Sequence, residues 1–226
     1  MARLPGYGAP ALRSKLAGLA LLLGAPLAAS AQQVTVAALG DSLTAGYGLP
    51  QDAGFVPVLQ DWLDARGADA DLVNAGVSGD TTAGGLARLD WTLTEDVDAL
   101  MVNLGGNDFL RGLDPAEVRA NLSAILGGAA ERDLPVLLVG IEATANYGAE
   151  YQARFNAVYA DLAQEYEVLY YPSFFAPLTA GGDLDDARQR YMQDDGIHPN
   201  AEGVTLIVEA IGPSVEALVD EAREGL

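Results

Sequence analysis

The sequence predicts an α/β fold in three layers, a parallel sheet with helices on both faces. Short runs rich in aliphatic and β-branched residues alternate along the chain with longer amphipathic segments of helical period. Most of the short runs are continuously apolar, which is typical of strands in a parallel sheet that is buried on both faces. No repeat, long linker or low-complexity tract divides the chain. We therefore expect a single α/β/α domain.

Five of the short runs are predicted strands. The first is VTVAAL, which ends at Gly40. The others share its aliphatic character and are ADLVNAG (70–76), DALMVNLGG (98–106), LPVLLVGI (134–141) and EVLYYP (167–172). In open parallel sheets ligands bind outside the carboxyl ends of the strands, so the loops that follow these runs are the places to look for chemistry.

The segments between the strands are predicted helices with one apolar face each. Helical spacing of apolar residues marks the segments 54–67, 81–93, 114–126 and 151–166. The third of them opens with Asp114 as N-cap and Pro115 at the first helical position. The last helix should begin near Asn200, and Pro213 should kink or restart it.

Residues 1–31 have the layout of a secretory signal peptide. Basic residues precede an apolar run, and the small residues ASA at 29–31 predict cleavage after Ala31. The apolar run is short for a spanning helix and is interrupted by Pro26, which argues against stable membrane insertion. The mature chain is therefore predicted to be residues 32–226 of an exported protein, either periplasmic or secreted.

The chain is strongly acidic. It has 12 Lys and Arg against 32 Asp and Glu, a net charge of −20, and loss of the three leader cations would leave 9 − 32 = −23. Such a surface repels phosphate backbones, which argues against nucleic acid as a partner. Because the chain has no cysteine, disulfides, thiol catalysis and Cys-ligated metal are excluded. Nothing in the sequence sets the oligomeric state, and a monomer is favoured.

Polar, glycine-rich loops follow the first three predicted strands. They are GDSLTAGYG (40–48), NAGVSGDTT (74–82) and GGNDFLRG (105–112). Singly, each fits an ordinary turn, a helix N-cap or a phosphate cradle, although GxGxxG and GxxxxGK are absent. Together they offer a nucleophile in Ser42 and oxyanion donors in the Ser42 and Gly79 amides and the Asn107 side chain. Ser42 does not lie in a GxSxG elbow, so the α/β-hydrolase fold is not indicated.

His198 is the only histidine of the chain. Its segment, MQDDGIHPNAEG (192–203), has the Asp, Gly and Pro content of a surface turn. The functional alternative is that His198 acts as general base and that Asp195, three residues earlier, orients its ring. With Ser42, these residues complete a predicted Ser-His-Asp triad for acyl transfer.

These four segments resemble the SGNH, or GDSL, hydrolase family. The four blocks of that family are matched in order by GDSL, SG (78–79), GGND and DDGIHP. The chain is also similar to one subgroup, which contains bacterial thioesterase I and the secreted arylesterases, in the stretches NAGVSGDTT, GLARL, ANYG and MQDDGIHPN. The resemblance implies a flavodoxin-like five-stranded sheet of order 2-1-3-4-5 in one hydrolase domain. It also implies the triad and oxyanion hole above, and hydrolysis of aryl and alkyl esters, acyl thioesters and lysophospholipids without metal or cofactor.

Four further residues are candidate substrate contacts. Asp41 precedes the nucleophile, but it is more typical of a hydrogen-bond acceptor that orders its own loop. Asp108, which is not one of the four, has the same interpretation. Leu110, Ile141 and Tyr147 are apolar groups near the loops, and they could line an acyl groove or simply pack in the core.

Two other functions remain open. A carbohydrate (acetyl) esterase could use the same fold and triad, although an aromatic content of 7% leaves few platforms for sugars. A non-catalytic binding protein on this fold is the alternative outside the enzymes, and the complete set of site residues argues against it.

Overall fold

The computed structural model describes residues 1–2, 6, 33–180, 182 and 184–225. The predicted signal peptide, residues 1–31, lies outside the described residues apart from positions 1–2 and 6. No helix within the described ranges is long and apolar enough to cross a membrane.

Strands and helices alternate along the described chain. The strands are β1 (Val34–Gly40), β2 (Ala70–Gly76), β3 (Ala99–Asn103), β4 (Val136–Val139) and β5 (Leu169–Tyr171). The α-helices are α1 (Ser42–Ala45), α2 (Phe55–Asp64), α3 (Thr82–Ala87), α4 (Leu89–Thr92), α5 (Gly106–Leu110), α6 (Pro115–Ala130), α7 (Ala149–Tyr166), α8 (Ala176–Thr179), α9 (Leu184–Tyr191) and α10 (Ala201–Gly225). Two short 3₁₀ helices are Gln51–Ala53 and Ala145–Tyr147.

The five strands form one parallel sheet. Its order is β2-β1-β3-β4-β5, so the predicted topology is confirmed. Helices α2 and α10 pack together in one layer, and α6 packs against α3 and α7 in the other. The chain runs from β1 to β2 on one side and then crosses to β3 on the other. This reversal opens a crevice at the carboxyl ends of β1 and β3, which is where a ligand site is expected.

Two helices differ from the prediction. The segment 81–93 was expected as one helix but divides at Arg88, whose guanidinium bonds to the Gly40 carbonyl (2.8 Å) and to Asp80 (2.7 Å). Of the two outcomes expected at Pro213, a kink or a restart, the restart does not occur, because α10 continues through this residue as a single helix. Ile211 and Val215, on either side of the proline, are fully buried, and this packing holds the helix although Pro213 donates no backbone hydrogen bond.

Candidate active site

Ser42 lies at the first turn after β1. The carboxylate of Asp41 caps α1 by accepting a hydrogen bond from the Leu43 N–H (3.0 Å). Gly40 must lack a side chain, because a Cβ there would lie 2.0 Å from the Thr44 hydroxyl and 2.9 Å from a backbone carbonyl. The tight turn directs Ser42 into a cavity outside the carboxyl end of the sheet.

His198 is held by its own loop. One carboxylate oxygen of Asp195 accepts the N–H groups of Ile197 (2.9 Å) and His198 (3.0 Å), and its other oxygen lies 2.6 Å from His198 Nδ1. On the far side of the ring, His198 Nε2 lies 2.8 Å from Ser42 Oγ. The structure thus brings Asp195 and His198, which share one loop, into a single hydrogen-bonded line with Ser42 from a distant segment.

The charge of Asp195 fixes the direction of these hydrogen bonds. Partial loss of hydration acts to raise its pKa, but the hydrogen bonds from the His198 ring and from the His198 and Ile197 amides outweigh it and lower the pKa from 3.8 to about 2. Asp195 is therefore an anion at neutral pH and accepts the Nδ1 proton of the ring. Nε2 is then left as an acceptor for the Ser42 hydroxyl.

Two residues that the sequence did not single out support this loop. The backbone N–H of Gln193 donates to the His198 carbonyl (2.8 Å), and its side-chain amide donates to the carbonyls of Tyr47 (2.8 Å) and Pro199 (2.9 Å). The Tyr47 ring lies 4.7 Å from the His198 ring. Both residues were present in the quoted motifs, but their contacts run to backbone carbonyls and to a ring face, which the motifs do not encode.

The predicted oxyanion donors lie around the same cavity. Ser42, Gly79 and Asn107 all line it. Gly79 has φ +87°, a conformation that favours glycine, and its carbonyl accepts a hydrogen bond from the Arg111 guanidinium (2.8 Å). Asn107 donates from its side-chain amide to Asp41 (3.2 Å). Neither the Ser42 nor the Gly79 N–H has a hydrogen-bond partner within the described part of the chain.

The two additional aspartates order the loops, as predicted. Asp108 is buried and accepts the N–H (2.9 Å) and the hydroxyl (2.6 Å) of Thr82, so that it joins the second and third loops. Asp41 is also buried, and it bridges the start of α1 to Asn107. Loss of hydration raises the pKa of Asp41 from 3.8 to about 6, although the hydrogen bonds from Leu43 and Asn107 act to lower it.

This raised pKa predicts a pH dependence of stability. Because the folded chain binds the Asp41 proton more tightly than the unfolded chain, ionisation of Asp41 destabilises the folded state as pH rises from about 4 to about 7. A shift from 3.8 to about 6 corresponds to about 3 kcal/mol. The free energy of unfolding of the wild type, measured with urea, should therefore fall by that amount over this range relative to Asp41→Asn. The exposed Asp52→Asn is the control, and equal slopes for wild type and Asp41→Asn would contradict the prediction.

The cavity has a volume of about 570 Å³ and a mostly apolar wall. Asp41, Leu110 and Ile141 line it, as the sequence suggested for a substrate groove. Tyr147 is not among the lining residues, and of the two alternatives for it the structure favours packing. Its ring packs edge-on against Phe109, and its hydroxyl donates to the Leu110 carbonyl (3.0 Å), which makes it a support behind the wall. No group of three or more His, Cys, Asp or Glu in the described ranges is arranged to hold a metal ion.

Residues 38–206 match the GDSL-like Lipase/Acylhydrolase family. The chain belongs to this family. The matched segment contains all five residues predicted for the triad and the oxyanion hole, and the resemblance inferred from the four sequence blocks is confirmed.

Named relatives of this GDSL-like acylhydrolase are similar over most of their length. Esterase TesA of Pseudomonas aeruginosa is 40% identical over 202 residues, 89% of this chain and 96% of the relative. Thioesterase 1/protease 1/lysophospholipase L1 of Escherichia coli K12 is 36% identical over 187 residues, 82% of this chain and 85% of the relative. The crystal structure of the psychrotrophic esterase EstA from Pseudoalteromonas, inhibited by monoethylphosphonate, matches with a TM-score of 0.75 and 30% identity, covering 82% of this chain and 98% of the other.

Proposed function

We propose that this protein is a serine esterase that hydrolyses aryl and alkyl carboxylic esters. The observation that carries the proposal is the hydrogen-bonded line Asp195–His198–Ser42, which opens into a mostly apolar cavity. A serine hydroxyl is a weak nucleophile unless a base is positioned to take its proton, and this geometry supplies one. The names of the relatives, esterase and thioesterase, support the same chemistry.

The reaction begins with attack of Ser42 Oγ on the ester carbonyl while His198 Nε2 accepts the hydroxyl proton. Asp195 stabilises the imidazolium that forms. His198 then returns the proton to the oxygen of the leaving group, and the C–O bond breaks to give an acyl-enzyme on Ser42. A water molecule that is deprotonated by His198 attacks this ester, and the acid leaves as Ser42 regains its proton.

The negative charge that develops on the carbonyl oxygen needs donors that are already in place. The N–H groups of Ser42 and Gly79 have no other partner in the described chain, and both residues line the cavity beside Asn107. The side-chain amide of Asn107 is the third donor, held in orientation by Asp41 (3.2 Å). Such preorganised donors favour the tetrahedral intermediate over the planar ester.

The proposed substrates are oxygen esters, including lysophospholipids, and acyl thioesters, because all of them have the carbonyl that the mechanism requires. Their acyl chain would enter the apolar cavity.

The proposal includes the export of the protein. Residues 1–31 would be removed as a signal peptide, and the mature chain 32–226 would act as a monomer in the periplasm or outside the cell. The apolar wall counts against an acetylated polysaccharide as substrate.

One experiment separates a serine esterase from a binding protein on the same fold. Purified protein should hydrolyse 4-nitrophenyl butyrate, and a fluorophosphonate should abolish this activity while labelling the peptide that contains Ser42. Ser42→Ala should lose both turnover and label, whereas Ser214→Ala, in α10, should keep both. Absence of turnover together with absence of label in the wild type would favour a binding protein, and a label on another serine would disprove the assignment of the nucleophile.

A further inference from the structure

Glu142 places a carboxylate on the wall of the candidate active-site cavity. The residue follows β4, and its exposed side chain lines the same cavity as Ser42 and His198. Its Oε2 accepts a hydrogen bond from the hydroxyl of Ser173 (3.1 Å), and Ser173 is itself buried. One hydrogen bond from a buried hydroxyl thus restrains the carboxylate beside the cavity.

No positive side chain neutralises this carboxylate. Glu142 takes part in no ion pair within the described residues, and the cavity wall contains no Arg or Lys among them. Two guanidinium groups lie close to lining residues but are outside the wall. Arg111 donates to the Gly79 carbonyl (2.8 Å), and Arg188 lies beside Gly196. The second acid of the wall, Asp41, adds to the negative potential when it is ionised.

We infer that Glu142 is a specificity-determining residue that disfavours substrates with a negative charge close to the reacting carbonyl. The inference rests on the proposed esterase function and narrows its substrate class to esters and thioesters that carry no net negative charge close to the reacting carbonyl. Charges beside an apolar wall are screened less than charges on open surface, so a carboxylate on this wall repels a nearby substrate anion more strongly than the distributed charge of the surface does. An acyl thioester of 3-mercaptopropionate, whose carboxylate lies only two carbons from the sulfur, is therefore a poor substrate, although its thioester bond suits the triad.

The test compares two thioesters of the same acid. The octanoyl thioesters of 3-mercaptopropionate and of N-acetylcysteamine share the reacting bond, but only the first carries a negative charge close to it. We expect Glu142→Gln to raise the ratio of kcat/KM for the anionic thioester to that for the neutral one by about three- to tenfold at low ionic strength, and Glu142→Arg to raise it further. Added salt should reduce the difference between wild type and variants.

The control separates the local charge from the net charge of the chain. Glu131→Gln makes the same change of charge at the end of α6, away from the cavity, and should leave the ratio unchanged. An equal ratio in wild type, Glu142→Gln and Glu142→Arg would overturn the inference, as would an equal rise in Glu142→Gln and Glu131→Gln. Failure of the esterase proposal itself is distinguishable, because wild type would then turn over neither the neutral thioester nor 4-nitrophenyl butyrate.

Discussion

His198→Ala is expected to lower kcat for 4-nitrophenyl butyrate by about 10⁴–10⁶, by analogy with the loss of the base in other serine triads. The reason is that His198 Nε2, 2.8 Å from Ser42 Oγ, is the one imidazole nitrogen available to this serine in a chain with a single histidine. Asp195 is a less clean target for mutation. Its carboxylate also accepts two backbone N–H groups, so its replacement would move the loop as well as release the ring.

The single histidine gives this prediction an independent readout. Diethyl pyrocarbonate should inactivate the wild type with an absorbance change equivalent to one modified imidazole, and hydroxylamine should restore activity. His198→Ala should show no such absorbance change and should keep the far-UV circular dichroism and urea midpoint of a folded chain. A folded variant that retained more than a few per cent of the wild-type kcat would remove His198 from the mechanism.

Much of the site could be predicted because few residues are chemically suited to it. The chain offers one imidazole, and a parallel sheet brings the loops after its strands to one edge, so that Ser42 and His198 meet across 156 positions of sequence. The same rule placed Gly79 and Asn107 at this edge. Sequence pattern and side-chain chemistry together were sufficient to predict a site residue where the position admits few residue types.

Sequence patterns did not determine the direction of side chains in the loops. Tyr147 lies in a segment near the site, yet its hydroxyl is drawn to the Leu110 carbonyl and its ring to Phe109, so it supports the wall from behind. Gln193 acts through the carbonyl of Tyr47, an acceptor that every residue possesses and no motif marks. Arg88 breaks a predicted helix through a bond to the carbonyl of Gly40. In each case a long-range hydrogen bond to a backbone carbonyl decides the local structure.

The proposed oxyanion hole leads to the second prediction of large effect. Asn107→Ala should lower kcat by about 10²–10³ and leave KM within about twofold, because a donor aimed at the developing oxyanion stabilises the transition state more than the bound ester. The exposed Asn146→Ala, which removes an amide from the 3₁₀ helix Ala145–Tyr147, should leave both constants unchanged.

Asn107 also donates to Asp41, so its role in the fold must be separated from its role in catalysis. Because the hydrogen bond from Asn107 acts to lower the pKa of Asp41, the variant should raise that pKa above about 6 and shift the pH dependence of unfolding accordingly. If Asn107 served only to hold Asp41, Asp41→Asn would reproduce the whole loss in kcat. A donor to the oxyanion predicts instead that Asp41→Asn keeps most of kcat while Asn107→Ala does not. A loss confined to KM in Asn107→Ala would contradict the assignment, since it would mean that the amide binds the ester and its transition state equally.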